Sequence, residues 1–150
     1  MEDLNGTKVF SKIDLKDAYT QIPLKEQSRK MTNFTTDFGT YRFKRLIYGI
    51  NDAGDFFQQC LHSKLGDLPE VKCIADDIIV YSKSMSDHKN SLKRLFTRLQ
   101  ENGFKINPTK CVLGATEISF YGVIFNEQGV SADPQKIECL KNVKPPTCQQ

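Results

Sequence analysis

Two apolar runs, 71–75 and 78–81, enclose Asp76-Asp77. This interruption constrains the fold more than any other feature of the chain. Short runs rich in β-branched residues read as strands, and a two-residue break of turn-forming side chains joins them as a hairpin. Helical patterns lie on both sides. Ahead of the hairpin, Ala53, Phe56, Phe57, Cys60, Leu61 and Leu65 recur at helical spacing, with Asn51 or Asp52 suited to cap the start and Gly66 to end it. Behind it, Leu92, Leu95, Phe96 and Leu99 mark the buried stripe of a second helix over about 86–102, stopped by Asn102-Gly103.

The rest of the chain fits around this unit. Residues 9–15 alternate well enough to form a strand. Segments 31–36 and 41–46 read as a hairpin around Asp37-Phe38-Gly39, and its second arm puts Arg42 and Lys44 on one face, Tyr41 and Phe43 on the other. Phe104-Lys105-Ile106 reads as a short strand before Pro108. Residues 118–125 read as another, with a turn at Gln128-Gly129. Asp133-Pro134 opens a short helix, a cap followed by proline at the first position, and Lys144-Pro145-Pro146 reads as a linker. Leaving out the inserted hairpin, the order is β-α-β-β-α-β, the split βαβ of ferredoxin-like α+β folds. Such sheets place the first and third strands side by side and antiparallel. Asp14, ending the first strand, then lies beside Asp76 and Asp77 at the turn opening the third.

Three carboxylates at one sheet edge repel unless a cation compensates, and hard divalent ions that prefer oxygen, Mg²⁺ above all, are suited to the task. Two such ions about 3.5–4 Å apart clamp an in-line phosphoryl displacement. The residues alone leave the blander reading open, because Asp-Asp is ordinary turn chemistry and Asp14 would serve as a solvated strand end. Composition narrows the classes without choosing among them. No run of about 18 apolar residues exists and the N-terminus has no basic start, so neither a membrane span nor a signal peptide is indicated. The net charge of +3 is compatible with a nucleic-acid partner but does not establish one. The five cysteines form no C-x-x-C pair and read as reduced intracellular thiols. His62 and His88 fall in the helices without a ligand at metal spacing, as surface or core residues.

The segment Phe10-Ser11-Lys12-Ile13-Asp14-Leu15-Lys16-Asp17-Ala18-Tyr19-Thr20-Gln21-Ile22-Pro23-Leu24 resembles the first catalytic motif of reverse transcriptases from gypsy-class long-terminal-repeat retrotransposons. Further segments match in order: Arg45-Leu46-Ile47-Tyr48-Gly49-Ile50-Asn51-Asp52-Ala53 with Phe57-Gln58, then Ala75-Asp76-Asp77, Asn107-Pro108-Thr109-Lys110-Cys111 and Phe120-Tyr121-Gly122. Three positions depart from the family pattern. Ile74 stands where an aromatic residue usually opens the aspartate box, and Ile47 and Gly54 stand where proline is common. None removes a carboxylate.

The resemblance implies the palm of a reverse transcriptase (4–24 and 47–143) with a fingers hairpin at about 25–46, a primer-grip hairpin near the C-terminus and a linker at 144–150. It implies an RNA-directed DNA polymerase that adds dNTPs to a primer on an RNA or DNA template. Asp14, Asp76 and Asp77 would hold two Mg²⁺ ions, with Mn²⁺ able to substitute and the Leu15 carbonyl as an extra ligand. Asp17, Ala18 and Tyr19 would line the nucleotide pocket, Tyr48 and Gly49 would approach from the other side, and Phe57 and Gln58 would support pocket and template. Phe120, Tyr121 and Gly122 would form the primer grip, and Lys110 would lie near the triphosphate. Phe57, Phe120 and Tyr121 also suit plain packing. Arg29, Lys30, Arg42, Lys44 and Arg45 suit either solvent or phosphate contact. The partners implied are template-primer and the remainder of a pol polyprotein, with fingers, thumb and RNase H, inside cytoplasmic retroelement particles. Two other expectations stand beside the polymerase. One is a truncated or domesticated copy acting as a silent binding module. The other is an unrelated ferredoxin-like RNA-binding domain, which would carry aromatics on its central strands instead of carboxylates at their edge.

Overall fold

A computed structural model describes residues 6–141, apart from the side chains of Gln135 and Leu140. The predicted 144–150 linker lies outside the described residues. The frame is a four-stranded antiparallel sheet of β1 (Val9–Asp14), β4 (Val71–Ile74), β5 (Asp77–Ser82) and β6 (Val112–Ala115), ordered β4-β5-β1-β6. Helices α2 (Ala53–Leu65) and α3 (Met85–Glu101) pack on one face. The expected strand and helix order therefore holds, and the first and third strands of the unit, β1 and β5, are antiparallel neighbours.

Alternation along the central strands divides two cores. Ile13 on β1 and Ile78 and Val80 on β5 face the helices, where they meet Phe57, Leu61 and Leu65 of α2 and Leu95 and Leu99 of α3. Phe10, Ile79 and Tyr81 face the other way, against Ile118, Phe120 and Phe125. The latter three belong to a separate sheet of β7 (Glu117–Phe120), β8 (Val123–Asn126) and β9 (Gly129–Ala132), followed by α4 (Pro134–Lys141). This small sheet covers the Phe10 end of β1 and β5. Among the described residues, the Asp14 end of the same face has no such cover.

Several expected boundaries are corrected. Phe104-Lys105-Ile106 is not a strand. Only Ile106 forms a bridge, to Leu15, and the fourth sheet position goes to β6, which pairs with β1. Residues 118–125 are not one strand but two, because Phe120 pairs with Val123 across a turn of Tyr121 and Gly122. Both turn residues have positive φ, 53° and 83°, as in a type I′ hairpin turn whose twist matches its strands. The next turn is Glu127-Gln128, since Asn126 pairs with Gly129. Phe56 is not part of the buried stripe of α2. It points to solvent, 47% exposed, while Ala53, Phe57, Leu61 and Leu65 are buried. Asp52 occupies the N-cap of α2 without a side-chain bond, and Gly66 closes the helix in a right-handed conformation.

The inserted hairpin is shorter than expected. It consists of β2 (Asn33–Thr36) and β3 (Gly39–Arg42) with Asp37-Phe38 as the turn, preceded by the single-turn helix α1 (Glu26–Arg29). Its aromatic face does form, with Phe34 5.9 Å from Tyr41 and 5.0 Å from Phe43, ring centre to ring centre. Of its basic residues, Arg29 and Arg42 both bind Glu26.

Candidate active site

Register brings the first two carboxylates together. Asp14 and Asp77 are Cα partners across β1 and β5, and alternation puts them on the face away from the helices. Both are half-buried. The hairpin turn sits one residue earlier than the sequence suggests. Ile74 pairs with Asp77, so Ala75 and Asp76 form the turn and Asp77 begins β5. Asp76 is bound into the site through its backbone, whose carbonyl accepts the Leu15 amide at 3.3 Å.

Ala75 carries the strain of that turn, with φ of +52°, where a Cβ is unfavourable. Gln58 of α2 stabilises it. Its side-chain carbonyl accepts the Ala75 amide at 3.0 Å and its amide donates to the Cys73 carbonyl at 2.7 Å. Gln58 thus fixes the backbone immediately before Asp76, a task its position in the motif did not reveal. Burial pushes the neighbouring Cys73 thiol up to about 12, so this cysteine is inert.

After Leu15, which is buried, the chain turns sharply. Asp17 is left-handed (φ 48°), its carbonyl accepts both the amide and the hydroxyl of Thr20, and Ala18–Gln21 form a 3-10 turn. This turn directs Tyr19 across the site. Its ring stacks on Phe57 at 5.0 Å and meets Tyr48 at 4.5 Å, while the Tyr19 hydroxyl lies over Gly54. Phe57 is therefore both core and platform, with no exposed surface. Tyr48 is exposed and precedes Gly49, whose φ is +87°. Partial desolvation of the Tyr48 hydroxyl, then the charges of Asp76, Tyr19, Asp17 and Asp14, raises it above its ordinary value. Those residues thus share one electrostatic neighbourhood.

The loop after α3 completes the surroundings. The Asn107 amide donates to the Asp14 carbonyl and the Lys16 amide to the Lys105 carbonyl, both at 2.9 Å. Gln21 bridges the same two segments by bonding the carbonyls of Lys16 and Lys105 and the Lys105 amide. Lys110 ends a 3-10 turn three residues past Asn107 and is exposed. Lys16, Arg45 and Lys105, with Asp17, line a cleft of about 380 Å³ beside the turn, a basic cluster spread too widely in sequence to be noticed there.

The primer-grip candidates separate. Phe120 is buried beneath the sheet against Phe125, whereas Tyr121 is 66% exposed at the hairpin tip. A side chain at Gly122 would run into Lys136.

The donor set suits a hard divalent ion, being carboxylates at the open end of a sheet. Among the described residues, no three metal-ligating side chains yet close into a cluster. Asp77 instead binds the ammonium of Lys12, Oδ2 to Nζ 2.7 Å. Lys12 was absent from the expected site. The period of two that places it on the Asp14 face was the available signal.

Residues 1–125 match the family model for reverse transcriptase (RNA-dependent DNA polymerase). The chain is 35% identical over 147 residues to an uncharacterized protein of Caenorhabditis elegans, covering 98% of this chain and 11% of that protein. It is 32% identical over 146 residues to the retrovirus-related Pol polyprotein from transposon 297 of Drosophila melanogaster, 96% and 14% of the two chains. The Pol polyprotein from transposon gypsy of the same organism is 29% identical over 150 residues, 99% and 14%. The chain thus spans between a tenth and a sixth of these relatives. Two solved structures share the fold at 24% identity and cover 93% of this chain. Foamy viral protease-reverse transcriptase with an RNA/DNA hybrid has a TM-score of 0.82 over 19% of that chain, and its dRH form with double-stranded DNA 0.85 over 25%. A reverse-transcriptase sequence match over most of the length, on a sheet whose register pairs Asp14 with Asp77, shows that the chain belongs to the reverse transcriptase (RNA-dependent DNA polymerase) family.

Proposed function

We propose that this chain is the palm and part of the fingers of an RNA-directed DNA polymerase that extends a primer with dNTPs by two-metal nucleotidyl transfer. The observation that carries the reading is the meeting of Asp14, Asp77 and the Asp76 turn at the open end of the sheet, beside the Tyr19–Tyr48–Phe57 aromatic group. In this reading Asp14 and Asp76, with Asp77 and the Leu15 carbonyl, are the groups available to Mg²⁺ or Mn²⁺. Bound there, the ions would activate the primer 3′-hydroxyl and neutralise the triphosphate.

The remaining roles belong to the chain's own groups. The Asp17 and Ala18 amides face the triphosphate. Tyr19 supports the sugar, and its ring, locked between Phe57 and Tyr48, leaves no room for a 2′-hydroxyl. Tyr48 and Gly49 close the opposite side of the nucleotide. Phe57 and Gln58 hold the pocket and the aspartate turn, and Lys110 reaches toward phosphate. Phe120, Tyr121 and Gly122 set the primer end, with Phe120 as the buried anchor and Tyr121 as the contacting side chain. The 25–46 segment serves as fingers, its aromatic face and basic residues suited to template. Residues 4–24 and 47–143 serve as palm.

The parent would be a pol polyprotein with thumb and RNase H, acting on template-primer within intracellular retroelement particles. Among the described residues no helix is long and apolar enough to cross a membrane. The test is primer extension by the full-length parent. Asp14→Asn should lower dNTP incorporation at least about a thousandfold while leaving the fold intact, given how much of phosphoryl transfer rests on charge and positioning. Incorporation within tenfold of wild type would overturn the assignment. A silent binding module would show template-primer binding with no incorporation even in wild type.

A further inference from the structure

Lys12 lies two residues before Asp14 on the same face of β1, and its Cα partner on β5 is Ile79, so it reaches diagonally to Asp77. The ion pair is short, 2.7 Å, and both side chains are about three-quarters covered, 26% and 21% exposed. This is the only ion pair among the described residues that engages one of the three site carboxylates. The charge balance is informative too. Three carboxylates and one ammonium leave two formal negative charges, which one divalent cation neutralises.

We propose that Lys12 is a positioning residue that holds Asp77 out of the ion's coordination shell, leaving Asp14 and Asp76 as the carboxylate ligands of the resting site. This inference rests on the metal reading above and sharpens it. Lys12 repels a cation directly and also occupies the one carboxylate that would complete a three-acid cage. Binding of a first ion is thereby weakened, and Asp77 stays fixed as a neutralised strut between β1 and β5. The ammonium and carboxylate cancel, so the ion senses the pair as nearly neutral.

The experiment is Mn²⁺ calorimetry on the 150-residue chain, with urea denaturation in EDTA as an ion-free readout. Lys12→Met should tighten Mn²⁺ by about three- to tenfold, because a nearby positive charge is lost and Asp77 is released. Lys12→Arg should stay close to wild type. The decisive variant is Lys12→Met with Asp77→Asn, which removes a neutral pair and should leave the Mn²⁺ Kd within about twofold of wild type. Asp76→Asn should weaken binding about tenfold or more. In EDTA, the urea midpoint of the double variant should lie above the value expected from adding the two single losses.

A double variant that loses Mn²⁺ as Asp76→Asn does would make Asp77 a ligand and overturn the proposal. Additive midpoints in EDTA would show that Lys12 and Asp77 are not coupled, and overturn it as well. If Asp76→Asn weakens Mn²⁺ and Lys12→Met changes nothing, the metal reading stands and Lys12 alone is removed. Wild type that takes up no Mn²⁺ would remove both.

Discussion

The same two strands are built differently at their two ends. At one end of the β1–β5 pair, Phe10 and Tyr81 are register partners sealed beneath Ile118, Phe120 and Phe125. At the other, four residues further along β1, Asp14 and Asp77 are partners, and among the described residues no sheet covers them. The covered end supplies apolar burial, and the open end presents like charges that cost stability unless compensated. A strand pair anchored at one end can carry repelling carboxylates at the other, because the register that aligns them is set by the packed half. The helix-facing residues Ile13, Ile78 and Val80 reinforce this from behind.

The largest effect that sharpens the contrast is at Phe10, which is 1% exposed. Phe10→Ala should lower unfolding stability by about 3–5 kcal/mol, the usual range for a large aromatic lost from a core. Asp14→Asn, at the open end, should leave stability unchanged or raise it slightly. Urea midpoints for the two variants check this. Equal losses would mean that the two ends are not energetically distinct.

A smaller effect is expected at Gln58. Gln58→Ala leaves the Ala75 amide and the Cys73 carbonyl without their side-chain partner, at a cost of about 1–3 kcal/mol. Amide exchange at Ala75 should speed up while that at Val80 stays slow. Unchanged exchange at Ala75 would show that the turn holds itself.

The smallest effect concerns His88, which is buried on α3 at the packed end of the strands. Its ring nitrogens lie 2.6 Å from the Ser11 hydroxyl and 3.2 Å from that of Ser82. The Ser11 hydroxyl also accepts the Gly114 amide at 2.9 Å, so one histidine joins α3 to three strands. Burial lowers the His88 value below the ordinary 6.5. The unfolded chain therefore binds the extra proton first as pH falls. The contribution is complete above about pH 6.5 and is lost as pH drops through the lower folded value, by at most about 1.4 kcal/mol per unit. His88→Asn should flatten this part of the stability profile between pH 7.5 and 5.5. An equal slope in the variant would assign the dependence to other groups.

The order of elements was readable because helix and strand periodicities are local. The motif residues were readable because Asp14, Tyr19, Tyr48, Phe57 and the aspartate pair keep family spacing. What escaped has a common cause. β6 was missed because Val112 and Leu113 lie on an edge strand and stay 45% and 56% exposed, so burial left no alternation to read. The aspartate turn was misplaced by one residue because its left-handed Ala75 is held by Gln58, seventeen positions earlier. The 118–125 run concealed a turn because the apolar residues on both sides of Tyr121-Gly122 face one core.

By itself, then, the sequence determined the two long helices and the central strands between them, since these depend on periodicity over a few positions. Only the tertiary structure decided that Asp77 faces Asp14 but binds Lys12, and that Gln58 secures the turn at Asp76. Only it separated a buried Phe120 from an exposed Tyr121. Those outcomes depend on strand register and on which face each side chain takes, and a shift of one residue would reverse them all.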